Sequence, residues 1–297
     1  MKKLLLLSVL FLVPAVQADM RILACEPEWG ALAKEIGGAK VKVHNATTAK
    51  QDPHHIEARP SLIAKARRAD MLLCTGAELE TGWLPLLLQK SSNSKIQPGK
   101  PGHFMATDHV KMLEVLGKVD RSMGDVHGDG NPHIQTDPRR ILQVADALVG
   151  KMKIVDAANA SHYQQGYQSF KQRWQQAMQK WNQQAQVLRG MPIVVHHRSW
   201  VYLQDWLGLK EVAALEPKPG IPPSTGHLVG LLKTLKQTPA KVIIYSAYQN
   251  PRSANWLASK AGIGAVQLPS TVGGTPAAKD LFGLFDDIVQ RLVKAKG

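Results

Sequence analysis

A long amphipathic segment in the middle of the chain constrains the fold more than any other feature. Its apolar residues recur at steps of three and four, and they are Tyr167, Phe170, Trp174, Met178, Trp181, Ala185 and Leu188. This spacing predicts a helix of roughly 30 residues, about 45 Å long at a rise of 1.5 Å per residue. We interpret the aromatic face as a seam packed against a core, so Trp174 and Trp181 are not evidence of a ligand site.

Short apolar strands alternate with amphipathic helices on both sides of this segment. Strands are predicted at MRILAC, KVKVHNA and ADMLLC before it, and at MPIVV, KVIIYSA and AVQLP after Gly190. Such alternation is typical of a mostly parallel sheet covered by helices. We therefore predict an α/β fold of two lobes, at residues 19–155 and 190–297, joined by one long helix at residues 156–189.

The beginning of the chain has the pattern of an export signal. Residues 1–18, MKKLLLLSVLFLVPAVQA, combine a Lys-Lys start, a short apolar run and a small residue at Ala18. This pattern predicts a signal peptide cleaved before Asp19. The run ILAC ending at Cys25 is a weak match to a lipid-attachment box, because Asp19 and Arg21 separate it from the apolar run. We expect an exported chain, since no later stretch reaches the length of about 20 apolar residues that spans a membrane.

Charge and cysteine content narrow the function further. The formal net charge is +14, but the lysines and arginines are dispersed and no aromatic-rich basic motif accompanies them, so nucleic acid is not an expected partner. Cys25 and Cys74 each end a predicted buried strand. An oxidising compartment favours a disulfide between such strands, and two buried free thiols are the alternative. Neither cysteine has the spacing of a metal ligand.

Three histidines occupy predicted junctions between a strand and a helix. His54 follows Pro53, His133 precedes a helix that Asp137 is expected to cap, and His197 follows a buried strand. Ligands of α/β sheets bind at the carboxyl ends of strands, so we expect these side chains to converge on a cleft between the lobes. Imidazole suits Zn²⁺ in four-coordinate geometry, whereas Ca²⁺ and Mg²⁺ prefer oxygen, and Mn²⁺ and Fe²⁺ prefer more carboxylate.

Three motifs in this order resemble one known family. They are Asp-Pro-His at residues 52–54 with Pro-Ser at 60–61, N-P-H-x-x-x-D-P at 131–138, and V-H-H-x-S-W-x-Y at 195–202. Together they resemble the exported zinc- and manganese-binding proteins of ABC importers, over the whole mature chain. The resemblance implies a periplasmic receptor, not an enzyme, which passes one metal ion to an inner-membrane permease. We expect a monomer, and a metallochaperone is left open as a further partner.

The resemblance also implies a set of ligands. Carried over by motif, they would be His54, His133 and His197, with the neighbours His55 and His196 as alternatives. Manganese-type members carry a Glu and an Asp after the last two strands, where this chain has Ser246 and the run LPST.

The fourth ligand is therefore open. We choose Asp280, the next carboxylate, although it also suits a helix N-cap; water, Glu57 and Glu216 are the other options. Losing an oxygen ligand favours zinc over manganese or iron as the transported ion.

Other interpretations remain at this stage. Residues 123–133 form a glycine-rich loop with Asp125, His127 and Asp129, and His127 is a hypothetical transient contact for the incoming metal. A secreted zinc hydrolase would also use three histidines, but HExxH and GxSxG motifs are missing. Glu57, the glutamate nearest a proposed ligand, could serve as a base, but nothing marks it as one. A receptor for an organic solute would need aromatic platforms and an arginine clamp, for which no arrangement stands out.

Overall fold

The computed structural model describes residues 19–117, 119–120 and 123–297. The predicted signal peptide at residues 1–18 lies outside the described residues. The first lobe contains β1 Met20–Ala24, α1 Pro27–Gly37, β2 Val41–Asn45, α2 Pro60–Arg68, β3 Met71–Cys74, α3 Leu84–Ser91, β4 His103–Met105 and α4 Pro138–Val155. The second contains β5 Pro192–Val195, α6 Val201–Leu207, β6 Lys210–Ala214, α7 Thr225–Gln237, β7 Val242–Tyr245, α8 Arg252–Ala261, β8 Gly264–Gln267 and α9 Leu281–Lys296. Helix α5, Ala160–Ala185, joins the lobes.

Both lobes contain a four-stranded parallel sheet with the same strand order. The orders are β2-β1-β3-β4 and β6-β5-β7-β8. In each sheet the chain first extends to one side of the opening strand and then continues on its other side. Ligands of open parallel sheets bind where the order reverses, at the carboxyl ends of the strands. The topology thus places candidate sites after β1 and β3 and after β5 and β7, and confirms the predicted two-lobed α/β fold.

Helix α5 packs against both lobes through its aromatic face. Phe170, Trp174 and Trp181 are fully buried, and Trp174 lies 5.4 Å from the ring of Phe285 in α9. The same helix packs on α1 and α4 of the first lobe, so one continuous core runs through both lobes. A large apolar interface of this kind opposes free rotation of one lobe against the other. The interpretation of the stripe as a core seam is confirmed.

A disulfide joins Cys25 to Cys74, with their Cα atoms 4.7 Å apart. It ties the carboxyl end of β1 to that of β3 beside the cleft, and both residues are fully buried. The predicted disulfide is confirmed. A crosslink that closes a loop of this length removes about 4 kcal/mol of unfolded-chain entropy in the loop-closure model. Within the described part of the chain, every helix is too short or too polar to cross a bilayer.

Candidate metal site

The carboxyl ends of the two sheets face each other, and three histidines meet between them. His54 follows β2, His133 follows β4 and His197 follows β5. One ring nitrogen from each lies within 4.8 Å of those of the other two. The ring centroids are 5.5 to 5.9 Å apart. Because two rings come from the first lobe and one from the second, the cluster bridges the cleft.

Every ring in this cluster is oriented by an oxygen on its Nδ1 side. The pairs are His54 with Asp52 Oδ1 at 2.7 Å, His133 with Asn131 Oδ1 at 2.9 Å and His197 with Glu216 Oε2 at 2.7 Å. An acceptor at Nδ1 fixes the proton there and leaves the Nε2 lone pair free. Such partners also raise the basicity of a metal-ligating imidazole. The three Nε2 atoms are therefore prepared to bind a cation.

The two Asx-Pro-His motifs build the same local structure. Asp52 Oδ1 accepts a hydrogen bond from the backbone N–H of His54 at 3.0 Å as well as from its ring. Asn131 Oδ1 does the same for His133, with its backbone bond at 3.1 Å. The intervening proline fixes φ, so the acceptor and the ring are held in one turn. This geometry explains why the sequence repeats the motif.

His133 shows most clearly that the cluster suits a cation. Its Nε2 is buried and has no hydrogen-bond partner among the described residues. Burial, then the nearby rings of His197 and His54, hold the pKa of His133 well below its usual value, so the ring is neutral. An unsatisfied buried nitrogen costs about 1–3 kcal/mol. A metal ion at the centre of the cluster would remove this cost.

His127 is a further imidazole of the cleft, which lies next to His54 but outside the group of three whose ring nitrogens are all within 4.8 Å of one another. Its Nε2 lies 3.2 Å from Nε2 of His54, and the backbone of Ala77 accepts a hydrogen bond from its ring. Two nitrogens bound to one tetrahedral Zn²⁺ lie about 3.3 Å apart, given Zn–N bonds of about 2.05 Å. Burial lowers the pKa of His127 to about 4, with His54 and His197 adding to the shift. The sequence pointed to this residue only through its glycine-rich loop.

Asp280 is not part of the histidine cluster. It is the N-cap of α9, where its Oδ1 accepts a hydrogen bond from the backbone N–H of Gly283 at 2.7 Å. Glu216, another option for the fourth ligand, already bonds His197, and Glu57 is exposed. The structure thus gives Asp280 the capping role that was the alternative in the sequence.

The neighbouring histidines lie outside the cluster. The side chain of His55 is 68% exposed and lies 3.7 Å from Asp125. His196 is buried beside Glu216, and burial is the main cause of its lowered pKa. In the pairs His54/His55 and His196/His197, the member that lies in the three-histidine cluster is therefore the one chosen from the motif, His54 or His197.

The sequence analysis missed three buried carboxyl groups on the first-lobe side of the cleft. Burial raises the pKa of Glu28 and of Glu80 to about 7 each, and that of Glu26 rises well above its usual value. Glu28 accepts a hydrogen bond from Thr271 of the second lobe, so it contributes to the contact between lobes. Among the described residues, Glu80 groups as a potential ligand only with Cys25 and Cys74, which are already joined to each other.

Two parallel α/β lobes on a linking helix, with imidazoles from both lobes converging between them, define a two-lobed metal-binding protein. A family model described as ZnuA, zinc-uptake complex component A, periplasmic, matches residues 22–295, and the chain belongs to this family.

Curated relatives carry metal and manganese names. The chain is 26% identical over 142 residues to the metal ABC transporter substrate-binding lipoprotein SloC of Streptococcus mutans, covering 47% of this chain and 43% of that one. It is 23% identical over 151 residues to the manganese ABC transporter substrate-binding lipoprotein PsaA of Streptococcus pneumoniae, covering 51% and 47%. The chain thus spans about half the length of the curated relatives it matches.

Solved structures share the fold over nearly the whole chain. A crystal structure of ZnuA superposes with a TM-score of 0.79 at 22% identity, covering 94% of this chain and all of that one. A manganese-bound periplasmic metal binding protein from Candidatus Liberibacter asiaticus gives 0.76 at 16% identity, with coverage of 94% and 100%. At these identities the likeness concerns the fold alone.

Proposed function

We propose that this protein is the extracytoplasmic receptor of a metal ABC importer, and that it captures Zn²⁺ in the cleft and delivers it to a membrane permease. One observation carries the proposal. His54, His133 and His197 bring one ring nitrogen each, from both lobes, within 4.8 Å of one another, and each has its Nδ1 held by an oxygen. The rest of the scheme, including export to the periplasm and a permease driven by a cytoplasmic ATPase, follows from family membership.

Zinc is proposed over manganese because the free donors are nitrogens. The carboxylates nearest the cluster, Asp52 and Glu216, are already used to orient His54 and His197. Mn²⁺ and Fe²⁺ favour sites with more oxygen, whereas imidazole suits Zn²⁺. Manganese is the second candidate, since the relatives named PsaA are called manganese transporter proteins.

We propose His127 as the fourth ligand in place of Asp280. The His127 nitrogen already faces His54 at 3.2 Å, whereas Asp280 would have to release the N–H of Gly283 to reach the metal. Removing an N-cap interaction costs about 1 kcal/mol, which adds to the cost of moving the loop. A site filled by four nitrogens also leaves no open position for an activated water. For this reason we propose a receptor and not a zinc hydrolase.

Release of the ion to the permease is explained by the position of the proposed ligands on two different lobes. His54 and His133 belong to the first lobe and His197 to the second, so a small separation of the lobes breaks the coordination. A permease that binds the two lobes in a slightly wider arrangement would lower the affinity for the ion. Such differential affinity is the physical requirement for any partner that drives release.

Titration of the metal-stripped protein with Zn²⁺ tests the proposal. We expect one tight site, lost in His54→Ala, His133→Ala and His197→Ala and retained in His196→Ala. His127→Ala should weaken binding, and Asp280→Ala should leave the affinity unchanged at some cost in stability. Competition with Mn²⁺ in the same titration decides the ion. Absence of stoichiometric metal from the wild-type protein would end the proposal.

A further inference from the structure

A turn after β3 is built from three consecutive residues in the left-handed region. Gly76, Ala77 and Glu78 have φ values of 88°, 46° and 66°. For residues with a Cβ this conformation costs about 1–2 kcal/mol each. The carboxylate of Glu80 stabilises the start of the turn. It accepts hydrogen bonds from the N–H groups of Thr75 at 2.7 Å and Gly76 at 3.1 Å. We call residues 76–78 the latch turn.

Both non-glycine residues of the latch turn hold the loop that carries His127. Oε2 of Glu78 accepts a hydrogen bond from the N–H of Gly128 at 2.8 Å. The backbone of Ala77 accepts one from the His127 ring. Strained residues persist where the surrounding contacts determine them, and such positions cluster at functional sites. The strained conformation of this turn therefore places two hydrogen-bond acceptors against one loop.

The other end of that loop is fastened to the second lobe. The N–H of Asp125 donates to the carbonyl of Pro219 at 2.9 Å. A side chain at Gly220 would collide with the Asp125 carboxylate, so the two segments are in close contact. The N–H of Gly220 in turn donates to Glu216, the residue that orients His197. Residues 123–128, which we call the strap, thus cross the cleft from one lobe to the other.

The strap lines a cavity that reaches the candidate metal site. This cavity of 260 Å³ is bounded by strap residues Asp125 and His127 together with His133 and His197. An ion in the cluster could leave past His127 only if the strap moved. On the first-lobe side the ring of His127 contacts Ala77 and His54, and its neighbour Gly128 is held by Glu78 and by the N–H of Leu116, which donates to the Gly128 carbonyl at 3.2 Å.

From these contacts we infer that Glu78 is a positioning residue, which keeps His127 on the bound ion and thereby sets how fast the ion leaves. The inference rests on the proposed function, because it assigns a role toward the same cargo. Glu78 does not touch the metal: its carboxylate fixes Gly128, and Gly128 fixes the ring next to it in the chain. Loss of the carboxylate leaves the His127 side chain present but removes one of the two backbone hydrogen bonds that hold Gly128, so the ring gains freedom to move off the ion.

The test compares Zn²⁺ release into excess chelator for wild-type protein, Glu78→Ala, Glu78→Gln, His127→Ala and the double variant Glu78→Ala/His127→Ala. Outer-shell partners of metal ligands typically contribute 10–100-fold, so release from Glu78→Ala should be at least about tenfold faster. Glu78→Gln keeps an oxygen acceptor and should stay close to wild type. Glu57→Ala removes another exposed carboxylate of the same lobe and serves as the charge control, with unchanged release expected.

The double variant decides whether Glu78 acts through His127. If it does, the double variant releases Zn²⁺ no faster than His127→Ala alone, whereas independent roles give additive effects. The visible spectrum of bound Co²⁺ reports coordination number, and Glu78→Ala should resemble His127→Ala. The inference is overturned if Glu78→Ala releases Zn²⁺ at the wild-type rate, or if the effects add in the double variant. The proposed function stands in either case as long as the wild-type protein binds zinc tightly. A wild-type protein without tight zinc overturns both.

Discussion

Nδ1 of His197 donates a hydrogen bond to Oε2 of Glu216 across 2.7 Å, and the N–H of Gly220 donates to the same oxygen at 2.9 Å. One carboxylate therefore orients the ring of His197 and fixes the loop on which the strap rests. No local pattern pairs Glu216 with His197 or Gly220, and from the sequence Glu216 was considered only as a direct ligand. In the structure Glu216 contacts Nδ1 of His197, so we expect it to act on metal binding indirectly, through the basicity and direction of that ring.

Replacing Glu216 should accordingly weaken metal binding without removing a ligand. We expect Glu216→Ala to lower the Zn²⁺ affinity about 10–100-fold, as for other outer-shell partners of metal-bound histidine. Glu216→Gln keeps an acceptor but loses the charge, so its loss should be smaller. Competitive titration against a chelator of known affinity measures both. An unchanged affinity in Glu216→Ala would show that the Glu216 contact does not tune the site.

We expect different results when the first residue of each Asx-Pro-His turn is replaced by that of the other, as in Asp52→Asn and Asn131→Asp. Asp52→Asn retains an oxygen for both N–H donors of His54, and we expect Zn²⁺ affinity within about threefold of wild type, since only the charge of one partner changes. Asn131 also donates through its amide to the carbonyl of Arg198 at 2.8 Å and to Glu114 at 3.2 Å. Asn131→Asp would turn these donors into a carboxylate facing two acceptors, so it should lower both stability and affinity. Equal effects of the two exchanges would contradict this assignment.

The fold could be predicted largely because its signals are local. MRILAC and PIVV became buried strands, and the aromatic periodicity became α5, which is shorter than the predicted 156–189 because 3₁₀ turns flank it. Strand β4 has only three residues, and β6 begins with Lys210 and Glu211 and is half-buried at a sheet edge. Neither carries an apolar pattern long enough to be recognised.

The residues of the site show the same difference between local and long-range signals. His54, His133 and His197 could be placed because strand ends are readable and parallel sheets bring those ends together. Asp280 was chosen by its position along the chain, which does not distinguish a helix cap from a ligand. The importance of Glu78 depends on its contact with Gly128, fifty positions away, which no local pattern encodes.

Zinc should stabilise the folded protein measurably. An ion that binds only the native state adds about 2.7 kcal/mol at a free concentration one hundred times Kd. We therefore expect the Tm of stripped protein to rise by several degrees with Zn²⁺ and to fall again with chelator. His133→Ala, which removes the unpartnered buried nitrogen, should abolish the rise. His44→Ala, at an exposed position of β2, is the control and should keep it.

Glu28 makes the stability of the protein depend on pH. Burial raises its pKa from 4.5 to about 7, with Glu80 adding to the shift, so the folded state holds a proton that the unfolded chain has already lost. Stability should then fall as pH rises from about 4.5 to about 7, because the native state binds more protons across this window, and the loss is complete above it. A shift of this size corresponds to about 3 kcal/mol.

Glu28→Gln removes this ionisation and keeps an oxygen for the hydroxyl of Thr271. We expect the variant to be more stable than wild type at pH 8 and to lose nearly all of that advantage by pH 4.5, where Glu28 is protonated in the native state and half protonated in the unfolded chain. Urea denaturation of metal-free protein at the two pH values measures the difference, with Glu57→Gln as an exposed control that should show none. A stability gain of the same size at both pH values would mean that packing, and not the buried charge, accounts for it.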